Sequence, residues 1–84
     1  MVKTIYTNFS EINQLQTNIM IFVGIWAREK KTPIPLKEIM NEMGRQGVKS
    51  FTIVNAINSL LRKRYIRRAV AISNKSYFVQ LKSV

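Results

Sequence analysis

Four glutamates, Glu11, Glu29, Glu38 and Glu42, are the only carboxylate side chains in this sequence, which contains no His, Cys or Asp. Metal sites are built from His, Cys and carboxylate sets, so these glutamates are nearly all the chain could offer a metal. Ser-His-Asp and Cys-His arrangements are excluded, and with them the commonest general base. Glu38 and Glu42 stand one helical turn apart and are the one carboxylate pair on an expected helix. With Lys37 and Arg45 nearby, a solvated face is expected there rather than an acid/base pair. The glycines, Gly24, Gly44 and Gly47, form no phosphate-binding loop. No enzyme activity, metal, cofactor or small-molecule ligand is expected from this inventory.

The cations point elsewhere. There are 14 Lys and Arg against 4 acids, a net charge of +10. Residues 1–42 carry five basic residues against all four acids, whereas residues 43–84 carry nine against none. Charge polarised in this way implies a polyanionic partner, most simply a nucleic acid. The alternative, a basic surface kept for solubility, does not require the asymmetry.

The elements that must position these cations follow from length and periodicity. The 84 residues suit a single domain spanning 1–84, and 46% apolar content is a globular value. So small a core often gains stability by association, which makes a homodimer an expected state. There is no cysteine for a disulfide framework. The apolar run from Ile19 to Ala27 is far short of the roughly 20 residues a spanning helix needs. No membrane role is expected, and the cytoplasm is the expected compartment.

Met1 to Thr7 read as a short strand or arm. Asn8 with Glu11 makes a capping-box pattern, with Ser10 as a rival cap. Ile12, Leu15, Ile19, Phe22, Val23 and Trp26 keep helical spacing, so helix 1 is placed at about 10–30. Met20, Ile21 and Ile25 widen its apolar face and are the candidate partner interface. Pro33 and Pro35 hold the chain extended around Ile34, and Pro35 suits the first position of helix 2, at about 35–43. Gly44 and Gly47 bracket a turn, and Ser50 is the expected cap of helix 3, at about 50–64. On helix 3, Phe51, Val54, Ile57, Leu60 and Leu61 are expected to point inward. Thr52, Asn55, Ala56, Ser59 and Lys63 are expected on the opposite stripe. Beyond Lys63 the apolar period shortens towards two, with Ile66, Val70 and Ile72, then a turn at Ser73-Asn74-Lys75. This predicts a hairpin at about 66–82. The fold class is therefore mainly α with a C-terminal β-hairpin.

Helix, short strand, helix, turn, helix, hairpin is the order of the winged helix-turn-helix superfamily, and Pro35 to Leu81 resembles it in detail. The most telling stretch is Asn55-Ala56-Ile57-Asn58-Ser59-Leu60-Leu61-Arg62-Lys63-Arg64-Tyr65-Ile66-Arg67-Arg68. It is similar to the end of a recognition helix followed by the family's Leu, turn, aromatic-Ile and basic pattern. The resemblance implies three helices with a two- or three-stranded wing sheet. Helix 3 would then lie in a major groove, with Lys49, Ser50, Thr52, Asn55, Ser59 and Lys63 exposed to it. Asn55 would bond adenine through both amide atoms, and Thr52 would touch a thymine methyl. Arg67, Arg68 and Lys75 would contact phosphates or a minor groove at the wing. Arg64 stands where the family often has Gly. It must accept a left-handed backbone at roughly 1 kcal/mol or end the helix differently, or its side chain reaches a phosphate.

Three functions suit this reading. The first is duplex DNA binding by a small transcription regulator or DNA-replication accessory protein, with a bacterial plasmid, phage or other mobile genetic element as the natural setting. The second is single-stranded DNA binding, with Tyr6, Phe9, Tyr65, Tyr77 and Phe78 as candidate stacking residues. The third is a protein adaptor that docks through helix 1 onto a larger replication or recombination enzyme.

Overall fold

A computed structural model describes residues 12–69 and 76–82. Among them are three helices: α1 (Gln14–Lys30), α2 (Leu36–Arg45) and α3 (Ser50–Arg62). Three short strands, β1 (Ile34–Pro35), β2 (Ile66–Arg68) and β3 (Tyr77–Gln80), form one antiparallel sheet in the order β1-β3-β2. The mainly helical class with a C-terminal pair of strands is therefore present. The expected helix start at Asn8 to Glu11, the arm at Met1 to Thr7, Val70, Ile72 and the Ser73-Asn74-Lys75 turn lie outside the described residues.

Helix α1 begins at Gln14, behind a capping box built on Asn13. Asn13 Oδ1 accepts the Gln16 backbone N–H at 2.8 Å, and Gln16 Oε1 accepts the Asn13 N–H at 3.3 Å. Each satisfies an amide that the first turn leaves without an intrahelical partner. Ile12, just outside the cap, is buried with the core. Ile19, Met20 and Val23 are almost wholly buried, and α1 packs on α2, α3 and the sheet. Pro35 is the N-cap residue of α2 rather than its first helical position, and its extended backbone (ψ 145°) hands the chain from strand to helix.

Helices α2 and α3 end in the same way. After α2, Gly47 N–H bonds the Gly44 carbonyl at 3.0 Å and Val48 N–H bonds the Met43 carbonyl at 3.1 Å. After α3, Arg64 N–H bonds Leu61 at 3.1 Å and Tyr65 N–H bonds Leu60 at 3.0 Å. Both are the double closure of a Schellman motif, which needs a left-handed residue just past the cap. Gly47 (φ 91°) and Arg64 (φ 62°) supply it.

The core is one cluster. Ile39 and Met43 of α2 and Ile53, Ala56, Ile57 and Leu60 of α3 meet α1 over Ile34, Tyr65, Ile66 and Phe78. Phe78 sits in the central strand, opposite Ile34 on one side and Arg68 on the other. Among the described residues, no helix is long and apolar enough to cross a membrane.

Candidate nucleic-acid interface

The inward face of α3 differs from the one its spacing suggested. Ile53, Ala56, Ile57 and Leu60 are buried, while Phe51 is 66% exposed and Val54 39% exposed. Phe51 and Val54 therefore leave the expected core, and Ala56 leaves the expected outer stripe. The helix start also differs: Lys49, not Ser50, is the N-cap residue, and its side chain makes no capping bond. Ser50 is the first helical residue. The three nearer elements, α1, α2 and β2, contact α3 on its 53–56–57–60 side. Phe51, Asn55, Asn58 and Arg62 are spaced four, three and four residues apart, so they form one row along the opposite side. Phe51, Asn55 and Arg62 are exposed on that row, and Asn58 is half-buried. Thr52 and Ser59, both half-buried, flank it.

Of the residues expected to touch nucleic acid, Lys49, Ser50, Asn55, Lys63, Arg64, Arg67 and Arg68 are exposed. Lys75 lies outside the described residues. The row on α3 runs without a break into a basic end, Arg62-Lys63-Arg64, which turns directly into β2. Basic side chains also suit the last turn of a helix, where the backbone dipole is negative. Arg64 is different, because the same motif at the end of α2 is closed by a glycine. A β-carbon in the left-handed region costs roughly 1–2 kcal/mol, a strain that Arg64 bears and Gly47 does not. Lys31, at the end of α1, also has positive φ (55°).

The strand register separates Arg67 from Arg68. Arg67 lies opposite Val79, and Arg68 opposite Phe78. Successive residues of a strand face opposite sides of a sheet. Arg68 therefore shares the side of buried Phe78, with its guanidinium 5.7 Å from the ring centroid. It rims the core as well as carrying charge. Arg67 faces the other side, and its Nη1 donates to the Arg68 carbonyl at 3.4 Å.

Sequence reasoning missed Lys82. The Tyr65 carbonyl accepts N–H groups from Leu81 (2.8 Å) and Lys82 (3.2 Å), which fastens residue 82 beside the turn after α3. Lys82 Nζ lies 4.8 Å over the Tyr65 ring. Only the pairing of β2 with β3 brings it there, and strand register is weakly written in a sequence this short. Phe51 and Arg62 were missed for a simpler reason: a helix has two plausible apolar stripes until its neighbours choose one.

Two further expectations separate. Of the candidate stacking aromatics, Tyr65 and Phe78 are buried and Tyr77 is half-buried. Tyr6 and Phe9 lie outside the described residues. On α1, Met20 is fully buried in the core, whereas Ile21 (50%) and Ile25 (38%) are exposed beside Gly24, Arg28 and Gln80. Met20 is thus removed from the candidate partner interface, and Ile21 and Ile25 remain. Comparison with known proteins finds no family model, no curated protein and no solved structure that matches this chain.

Proposed function

We propose that this chain is a winged-helix protein that binds duplex DNA, with α3 in the major groove and the basic turn and strands on the flanking phosphates. The observation that carries the reading is the continuity of two surfaces. The polar and apolar outer row of α3 leads through Arg62, Lys63 and Arg64 to the turn at Tyr65, where Lys82 is fastened, and on into β2 with Arg67 and Arg68. Base-reading groups and phosphate-holding charges have to be adjacent in this way, because phosphate contacts fix the orientation in which a helix meets base edges. The helix order and the pairing of the short β1 with the last strand are compatible with a wing built against a helix-turn-helix. The protein acts by binding rather than catalysis, as a small regulator or replication accessory factor, with a mobile genetic element as a setting that suits its size.

The test is a competition at fixed salt. Labelled duplex is challenged with random duplex and with single strands. Duplex is expected to compete better than single strands of equal length, since Tyr65 and Phe78 are taken up by the core and cannot stack on bases. A win for single strands would overturn the reading.

One observation favours a second role for α1. Exposed Ile21 and Ile25 on consecutive turns offer an apolar edge to a second copy or to a larger replication protein. A dimer would set two recognition helices about 34 Å apart on a palindromic site.

A further inference from the structure

The outer face of α3 is unusual in what it lacks. Residues 50–61 contain no charged side chain, although the protein carries a net charge of +10. Guanine is most often read by Arg or Lys, bidentate to O6 and N7. The helix has neither between Lys49 at its cap and Arg62 in its last turn. Beyond Ser50 at its start, what it exposes on its first two turns is Phe51 (66%), Val54 (39%) and Asn55. These three are neighbours on the helix surface, three and four residues apart.

We infer that α3 reads A·T base pairs, with Phe51 and Val54 packed on thymine methyl groups and Asn55 bidentate on adenine. This rests on the duplex-binding reading above and names the base pairs it recognises. The chemistry is specific to that pair. Thymine alone places a methyl group in the major groove, and adenine presents the N6–H donor beside the N7 acceptor that match an amide side chain. The N-terminal half of a recognition helix is the half that meets base edges, and that is where Phe51, Val54 and Asn55 stand. Leaving a phenylalanine two-thirds exposed on a small domain disfavours the free protein in water. Burial against a methyl row recovers that apolar area. Lys49 and Arg62 bracket the triad and supply the charge that brings a polyanion to it.

The experiment compares alternating duplexes of equal length at one salt concentration. Alternating dA-dT duplex is expected to bind more tightly than alternating dG-dC. Replacing every thymine with deoxyuracil removes only the methyl groups and is expected to cost about fourfold per methyl contacted. It leaves the minor groove unchanged, so a preference arising from wing arginines in a narrow A·T minor groove would survive the replacement. F51A is expected to shrink the difference between dA-dT and dA-dU duplexes to the share that Val54 contributes, and F51A with V54A to remove it. Circular dichroism checks that the variant is folded, and the exposure of residue 51 means its removal leaves the core intact. Equal binding of dT and dU duplexes by wild-type protein would overturn the inference while leaving duplex binding standing. So would an F51A protein that keeps its full methyl dependence, or one that changes sedimentation instead, since that would assign Phe51 to a protein contact. Failure to bind any duplex would overturn both readings.

Discussion

Arg64 and Gly47 occupy equivalent places, one residue past the cap of α3 and of α2, and both have positive φ. Glycine is the residue that takes this conformation freely. Gly47 has nothing within 4 Å of where a β-carbon would stand, so a side chain there meets only its own backbone strain. Gly47→Ala is expected to destabilise the protein by about 1 kcal/mol, read by denaturant unfolding. Arg64→Gly should do the reverse and stabilise by roughly 0.5–1 kcal/mol, the relieved strain less the entropy of a glycine in the unfolded chain. The same variant is expected to bind DNA more weakly at all sequences. A variant that loses stability and keeps its affinity would show that the Arg64 side chain serves the fold and not the phosphate backbone.

Among elements, α1 depends on its cap and the sheet on its register. Asn13→Ala removes the acceptor for the Gln16 amide and is expected to cost about 1 kcal/mol in chemical denaturation. If instead the helix extends back to the Asn8 cap suggested by the sequence, the cost will be near zero. The register makes Arg67 and Arg68 unequal. Arg67→Ala should weaken DNA binding with little change in stability. Arg68→Ala should do both, because its guanidinium covers the ring of Phe78, an exposed cation–π contact of about 0.5–1 kcal/mol. Equal stability of the two variants, by thermal melts, would refute the assignment of opposite faces.

For the whole molecule, the charge distribution sets the salt response. Each phosphate neutralised adds roughly −0.9 to the slope of log affinity against log salt. Contacts from Arg62, Arg64, Arg67, Arg68 and Lys82 would give a slope near −4.5, or on the order of a 500-fold loss between 50 and 200 mM salt. A flat response would remove electrostatics as the source of binding. Glu42 is half-buried and ion-paired with exposed Arg45, so that cation has an acidic partner on α2.

Much of this organisation was legible in the residues themselves. Helical spacing, the Pro33-Ile34-Pro35 break and the shortened apolar period after Lys63 placed three helices and a C-terminal pair of strands. These are local signals, carried by backbone preference and by side-chain period, and they need no partner element to be read. Net charge and its polarity were likewise legible, since they depend on composition alone. The tertiary structure decided what spacing left degenerate. The cap of α1 is set by reciprocal hydrogen bonding between Asn13 and Gln16. Two stripes of α3 were apolar enough to bury, and the packing of α1, α2 and β2 chose Ile53 and Ala56 over Phe51 and Val54. Lys82 joined the basic cluster only through strand pairing, and Met20 left the candidate interface only because α1 lies centrally. Burial is a property of what surrounds a residue, so the same apolar side chain becomes core or contact surface according to neighbours far away in the chain.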